Sequence, residues 1–240
     1  MSAAMTVVAG IDLAAGRGAT EIARLTLKAR ERPRFAAAAY VAVVTDHDII
    51  AALTAYHPAV VAIDAPLTLP APVASALSGK DAMDAKSSPY TRAAERDPIW
   101  TELGIRPLPV SFLGGLTFRA LCLVARLRDA LPESAIIEAF PSGAHASLGL
   151  RADAPGVQRQ GKTTAAARRG LQLELAALID GIPEPTPGPL SADLLDALLA
   201  ALTAVAYTRG RYRALGAADE GQIILPLPVR ARFRARFRAR

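Results

Sequence analysis

Cysteine and aromatic residues are scarce in this sequence, and both shortages exclude particular kinds of protein. Cys122 is the only cysteine, so an internal disulfide cannot form and a structural zinc site built from several thiolates is excluded. Aromatic residues make up 5% of the chain although 52% of it is hydrophobic, so alanine, leucine, valine and isoleucine must build the core. A core of small and aliphatic side chains favours helices packed closely against a sheet.

Long apolar runs are also missing, and none reaches the roughly 18 to 20 residues that span a bilayer. The first residues lack the positively charged region of a signal peptide and lead directly into strand-like sequence. These features predict a cytoplasmic protein without a transmembrane segment. The length of 240 residues suits one elaborated α/β domain.

Acidic residues are absent from residues 229–240, where six arginines alternate with alanine, valine or phenylalanine. These arginines account for the whole net charge of +6, so residues 1–228 are neutral as a group. We therefore predict a single domain over residues 1–228 and a basic, disordered tail over residues 229–240. Six arginines can neutralise nucleic-acid phosphates, and an anionic membrane surface is an alternative partner. We expect the tail to aid binding of nucleic acid, with DNA and RNA as equal alternatives.

Two short apolar runs each end in an aspartate. The first run, residues 7–12, ends in Asp12, and the second, residues 60–64, ends in Asp64. Both runs predict buried strands, in which an ionised carboxylate without a partner is costly. Two strands that end in this way predict one site built from both.

The surrounding residues predict a mixed α/β sheet flanked by helices. A three-stranded antiparallel meander accounts for residues 6–44, and a helix capped by Asp46 leads to the strand at residues 60–64. Passage from a strand through a helix to another strand implies a crossover and a parallel neighbour. Residues 66–115, which begin with a stretch rich in proline, serine and charge, predict an insertion in the domain.

Three further acids stand in apolar surroundings. Glu138 lies in a short apolar run closed by Pro141, and Asp193 and Asp196 lie at the start of the helix predicted from Ser191. A spacing of three residues places the two aspartates on one helical face, in the first turns where the helix dipole favours negative charge. Helix capping is an alternative explanation of Asp193, and loop capping is an alternative for the strand acids.

Four of these acids would repel one another in buried surroundings unless cations or protons intervene: Asp12, Asp64, Glu138 and Asp196. Hard divalent cations held by oxygen ligands, Mg²⁺ or Mn²⁺, meet this need best. Two such ions about 3.5–4 Å apart can activate a water and stabilise the leaving oxygen in phosphodiester hydrolysis. The three histidines share no metal-ligand spacing, which argues against zinc.

The order of these elements resembles the ribonuclease H-like fold, and the Asp-x-x-Asp-Ala pattern from Asp193 is similar to the end of Holliday junction resolvases. More closely, several segments resemble the DUF429 family, described as predicted nucleases of ribonuclease H fold. The segments are GIDLA, AIDAPL, EAFPSG, DALLAALTA and EGQIILP, starting at Gly10, Ala62, Glu138, Asp196 and Glu220. Residues 90–97 occupy the place of an Arg-x-x-Asp pattern of that family with altered spacing, so Arg92 and Asp97 are assigned no role.

The resemblance implies adjacent, parallel first and fourth strands, which would bring Asp12 and Asp64 together as central metal ligands. It implies that Asp196, with Asp193, completes the metal site from the helix. It also implies that Glu138 is an outer ligand or a base that positions water. The predicted function is a nuclease that hydrolyses phosphodiester bonds of nucleic acid with metal-activated water, and Mg²⁺ or Mn²⁺ is the predicted cofactor. The alternatives are an actin-like nucleotide-binding phosphotransferase, for which a dimer would supply a second half, and a non-catalytic scaffold.

Overall fold

The structure is a computed structural model that describes residues 5–16, 18–27, 35–80, 90–149 and 164–228. The predicted basic tail lies outside the described residues. Eight strands form one sheet in this part of the chain: Thr6–Asp12 (β1), Thr20–Leu27 (β2), Phe35–Val43 (β3), Val60–Asp64 (β4), Ala135–Ala139 (β5), Ile179–Asp180 (β6), Tyr212–Leu215 (β7) and Ile223–Pro226 (β8). Their order across the sheet is β6-β3-β2-β1-β4-β5-β8-β7. Because β1, β4, β5 and β8 are parallel neighbours, their carboxyl ends meet at one edge, called here the carboxyl edge.

Within the same ranges the α-helices are Asp46–Tyr56 (α1), Ala71–Leu77 (α2), Ile99–Leu103 (α3), Gly114–Ala130 (α4), Pro141–Ser147 (α5), Ala165–Ala176 (α6) and Ala192–Thr208 (α7). Short 3-10 helices lie at Ala93–Arg96 and Val110–Leu113. The sequence starts α7 through Ser191, whose hydroxyl accepts a hydrogen bond from the Leu194 amide at 3.1 Å.

The central strands of the sheet contribute alternately to two cores on its opposite faces. Val8 of β1 and Ala62 of β4 pack with the apolar body of α7 on one face. Ile11 and Ile63 belong to the core on the opposite face, with residues of α1 and α4. Because successive side chains of a strand point to opposite faces, this alternation fixes the face on which the other residues of both strands lie.

This architecture confirms the predicted fold class. The meander of β1, β2 and β3 is antiparallel, and β4 pairs parallel to β1. Strands β6 and β7 are additions to the prediction, because segments of two and four residues carry too little alternation to be recognised. An actin-like protein pairs two sheets of this kind, whereas the described residues contain one.

Among the residues that the structure describes, one helical stretch, Val110–Ala130, is long and apolar enough to cross a membrane by length and composition alone. One side of it belongs to the core shared with α1, where Leu123 and Leu127 are completely buried. Arg119 projects from the same helix and pairs with Asp46 of α1 at 2.8 Å. The apolar side of this helix packs into a core, and its arginine pairs with an acid of α1. Both features are those of an amphipathic helix in a packed domain.

Helix α7 contacts β1 at Gly10, where the strand carries no side chain. A Cβ at this position would overlap the Ala197 carbonyl oxygen and the Ala201 amide nitrogen, and would lie 2.7 Å from the Ala201 Cα. Position 10 requires glycine because backbone meets backbone there. This contact also sets the position of the first turns of α7 relative to the sheet.

Gly10→Ala is expected to lower the free energy of unfolding by about 3 kcal/mol, because neither the strand nor the helix backbone has room for the added methyl group. Urea denaturation followed by circular dichroism measures the loss. Gly170→Ala is the matched control, since Gly170 of α6 has nothing within 4 Å of an added Cβ. That substitution should stabilise the protein by about 0.5–1 kcal/mol. Equal midpoints for Gly10→Ala and the wild type would contradict the close packing.

Candidate active site

Asp12 and Asp64 are the last residues of two adjacent parallel strands. The register of β1 and β4 pairs them directly with each other. Neighbouring strands lie about 4.8 Å apart, so the two carboxylates start from backbone positions at that separation. Since Val8 and Ala62 point toward α7, strand alternation puts both aspartates on the face that α7 covers.

The first turns of α7 carry the other two predicted aspartates to this face. Asp193 lies in the first turn and is exposed, and Asp196 follows one turn later and is partly buried. The next residue, Ala197, contacts the backbone of Gly10, two residues before Asp12. Ser191 fills the N-cap position, and Asp193 lies in the first turn, where the helix dipole favours a negative charge.

A further acid, Glu21, joins this group and was not predicted. It is the second residue of β2 and pairs directly with Asp12 in the antiparallel ladder. Burial raises the pKa of the Glu21 carboxyl, and the charge of Asp193 raises it further. This interaction places the start of α7 over the carboxyl edge. An acid in an alternating strand is common, so no sequence signal singled out Glu21.

Removing the charge of Glu21 is expected to change how stability depends on pH. Because its pKa is raised above 4.5 in the folded chain, the native state binds a proton more readily than the unfolded state. The stability linked to this proton is present below that value and is lost as the pH rises through the folded pKa. The free energy of unfolding of Glu21→Gln, measured relative to that of the wild type in the presence of a chelator, should therefore increase as the pH rises from about 4 to about 7.

Urea denaturation at these two pH values measures the difference between Glu21→Gln and the wild type. Glu133→Gln serves as the control, because Glu133 is exposed in the turn before β5, away from the acids. A difference between Glu21→Gln and the wild type that stays constant with pH would contradict the raised pKa.

The structure places Glu138 apart from the aspartates. Its neighbours in β5, Ile137 and Ala139, pack on the α7 side, so Glu138 points to the opposite face of the sheet. There the Arg92 guanidinium donates to Glu138 Oε1 at 2.6 Å and to Oε2 at 2.7 Å, and the Leu67 amide donates to Oε2 at 2.9 Å. Neither predicted role, an outer metal ligand or a base that positions water beside the aspartates, fits this position on the opposite face.

Arg92, which was assigned no role from the sequence, is the centre of this buried network. Its Nε donates to Glu95 Oε1 at 2.8 Å, and its Nη1 also donates to Thr68 Oγ1 at 2.9 Å. Burial lowers the pKa of the Arg92 guanidinium, but the hydrogen bonds and charges of Glu138 and Glu95 outweigh burial and hold this pKa above its ordinary value. Arg92 is therefore a permanent cation between two carboxylates.

Three of the segments that carry the family resemblance meet around Arg92. AIDAPL leads into Thr68, EAFPSG begins with Glu138, and EGQIILP begins with Glu220. The Glu220 carboxylate accepts hydrogen bonds from the Ala71 amide at 2.8 Å and the Ala93 amide at 2.6 Å. These contacts join the segment that follows β4 to the turn before β8.

The carboxylates at the carboxyl edge suit a divalent cation that shares its coordination with substrate. Within the described ranges, no group of three or more His, Cys, Asp or Glu side chains is arranged to hold a metal ion by itself. Proteins commonly hold Mg²⁺ with one or two carboxylates, together with waters and substrate phosphates. The pair of Asp12 and Asp64 fits that kind of site.

A profile of the family described as "Protein of unknown function (DUF429)" matches residues 10–221. The chain belongs to the DUF429 family. The match confirms the membership that the motifs indicated, and it spans both the aspartates and the Arg92 network. No curated protein matches this DUF429 chain.

Solved structures similar to this DUF429 protein include two of RuvC from Thermus thermophilus. RuvC of Thermus thermophilus gives a TM-score of 0.45 at 15% identity, covering 85% of this chain and 96% of that chain. T. thermophilus RuvC in complex with a Holliday junction substrate gives a TM-score of 0.46 at 14% identity, with the same coverage of both chains. These identities are too low for residue roles to be transferred.

Proposed function

We propose that this DUF429 protein is a divalent-cation-dependent nuclease that hydrolyses phosphodiester bonds of nucleic acid. The observation that carries the proposal is the direct pairing of Asp12 with Asp64 at the ends of β1 and β4, on the face covered by α7. Carboxylates on directly paired residues repel each other when both are ionised, and a bound divalent cation relieves such repulsion.

Asp12 and Asp64 would hold the cation, and Asp193 and Asp196 would complete its surroundings from α7. When bound, Mg²⁺ or Mn²⁺ supplies positive charge that polarises water and phosphate oxygens. The substrate would approach from the carboxyl edge, because open α/β sheets bind ligands beyond the carboxyl ends of their strands.

Nucleic acid as the substrate class is supported by the charge of the chain. Residues 229–240 carry six arginines and no acid, and residues 1–228 are neutral as a group. A polyanion is the partner that such a basic segment favours. The arginines would thus hold a substrate whose cleavage takes place at the carboxyl edge.

Cleavage assays on single-stranded, duplex and branched DNA and RNA test the proposal. With Mg²⁺ or Mn²⁺ we expect products from at least one of these substrates, and with a chelator we expect none. Cleavage that persists without metal would contradict the proposed chemistry. Absence of cleavage with every substrate and both ions would favour the non-catalytic scaffold.

A further inference from the structure

The loops that follow the two central aspartates are each held by an arginine from the chain between β4 and β5. Arg119 of α4 reaches the loop after Asp12, and Arg92 reaches the loop after Asp64. Both aspartates end their strands, so the direction in which the chain leaves them depends on contacts outside the sheet.

Arg119 of α4 joins two other segments at the carboxyl edge, the loop after β1 and the junction between β3 and α1. Its guanidinium donates from Nη1 to the Ala14 carbonyl oxygen at 2.6 Å and from Nη2 to the Val44 carbonyl oxygen at 3.3 Å. Its Nε donates to Asp46 Oδ1 at 2.9 Å. The loop after β1, the end of β3 and the start of α1 are therefore fixed to one side chain.

Ala14 lies two residues beyond Asp12, and both of its backbone polar groups are engaged. Arg119 binds the carbonyl oxygen, and the amide donates to the buried hydroxyl of Thr20 at 3.2 Å. The path of the chain immediately after Asp12 is thus determined by Arg119 and Thr20 together.

Arg92 acts in the same way on the loop after Asp64. Its Nη1 donates to Thr68 Oγ1 at 2.9 Å, and its guanidinium binds Glu138, which in turn accepts the Leu67 amide at 2.9 Å. Leu67 and Thr68 lie three and four residues beyond Asp64. The side chain of Arg92 is 1% exposed and binds Glu138 on the face of the sheet opposite to Asp64.

We propose that Arg119 and Arg92 are positioning residues, which hold Asp12 and Asp64 at a fixed separation against the repulsion between their carboxylates. The inference rests on the proposed function of the aspartates. Neither arginine needs to touch the cation or the substrate, because each acts through the backbone that follows its aspartate. Groups that orient metal ligands in this manner typically change metal affinity by about 10–100-fold.

Calorimetric titration of Mn²⁺ into the full-length protein tests the proposal. We expect Arg119→Ala to weaken Mn²⁺ binding by about 10-fold or more while its circular dichroism spectrum stays that of the wild type. Thr68→Val, which removes the hydroxyl that Arg92 binds, should also weaken binding. The loss of affinity should appear with the metal alone, before any substrate is added.

Two control variants separate positioning from general stabilisation. Asp46→Asn removes the ion pair of Arg119 but leaves the guanidinium able to bind the Ala14 carbonyl oxygen, so we expect nearly wild-type affinity for Mn²⁺. Arg126→Ala removes an exposed arginine from the same helix and should have no effect on Mn²⁺ binding. If Arg119→Ala does not fold, Arg119→Lys takes its place. We expect this variant also to weaken Mn²⁺ binding by about 10-fold or more, because one ammonium group cannot replace the planar guanidinium fork.

Equal losses of affinity in Arg119→Ala and Asp46→Asn would indicate a role in stability alone and would overturn the proposal. Wild-type affinity in a folded Arg119→Ala protein would also overturn it, and the proposed function would stand. If the wild-type protein itself binds no Mn²⁺, the positioning role and the proposed function both fail.

Discussion

Asp12→Asn and Asp64→Asn are each expected to lower the rate of metal-dependent phosphodiester cleavage by more than about 100-fold. Groups that only orient metal ligands contribute about 10–100-fold, and these two aspartates are the proposed ligands themselves. The two residues are direct neighbours across β1 and β4, so either substitution leaves only one of the two proposed carboxylate ligands. Single-turnover cleavage in the presence of Mn²⁺ measures the loss.

The fold should survive both substitutions. Like charges placed directly opposite each other on neighbouring strands destabilise by roughly 0.2–1 kcal/mol, so the free energy of unfolding should stay the same or rise. Asp129→Asn is the matched control, because Asp129 is exposed at the end of α4 and should be dispensable for cleavage. Full activity in either Asp12→Asn or Asp64→Asn would contradict the site assignment.

Arg92→Ala is expected to have the largest effect on stability, lowering the free energy of unfolding by about 3–5 kcal/mol. The substitution leaves the Glu138 and Glu95 carboxylates, 6% and 1% exposed, without the cation that both of them bind. Urea denaturation at neutral pH measures the loss. The loss should shrink as the pH falls, because protonated carboxyl groups no longer carry the uncompensated charge.

Arg213→Ala provides the control for this measurement, since Arg213 is an exposed residue of β7. Its free energy of unfolding should remain within about 0.5 kcal/mol of the wild type. A similarly small change in Arg92→Ala would show that the buried network contributes little to the fold.

The positions of the two central aspartates at neighbouring strand ends could be predicted because each ends a short apolar run, in which an ionised carboxylate stands out. The family resemblance then implied that their strands are adjacent, and the register of β1 and β4 pairs the two residues directly. The helical spacing of Asp193 and Asp196 was likewise visible in the sequence. Strand ends and helix starts are local features, so local patterns suffice to find them.

Glu138 shows where the same pattern is insufficient. It also stands in an apolar run closed by a proline, but Ile137 and Ala139 on either side of it point toward α7. A shift of one residue along a strand reverses the face on which a side chain lies. A short run that is apolar on both faces does not fix this register, so the sequence grouped Glu138 with acids from which the sheet separates it.

Arg92, Arg119 and Glu21 were missed because their roles depend on contacts between distant parts of the chain. The carboxylate that binds Arg92 lies 46 residues away, and the carbonyl oxygen that binds Arg119 lies 105 residues away. Glu21 gains its place beside Asp12 only through the register of the first hairpin. Nothing in the immediate sequence around these residues indicates their partners.

Calorimetric titration of Mn²⁺ into the wild-type protein and into the Asp12→Asn/Asp64→Asn double variant tests the central claim most directly. We predict saturable binding to the wild type and loss of that binding in the double variant, with both proteins folded by circular dichroism. Equal binding to the two proteins, or no binding to the wild type, would contradict a cation site at the carboxyl ends of β1 and β4.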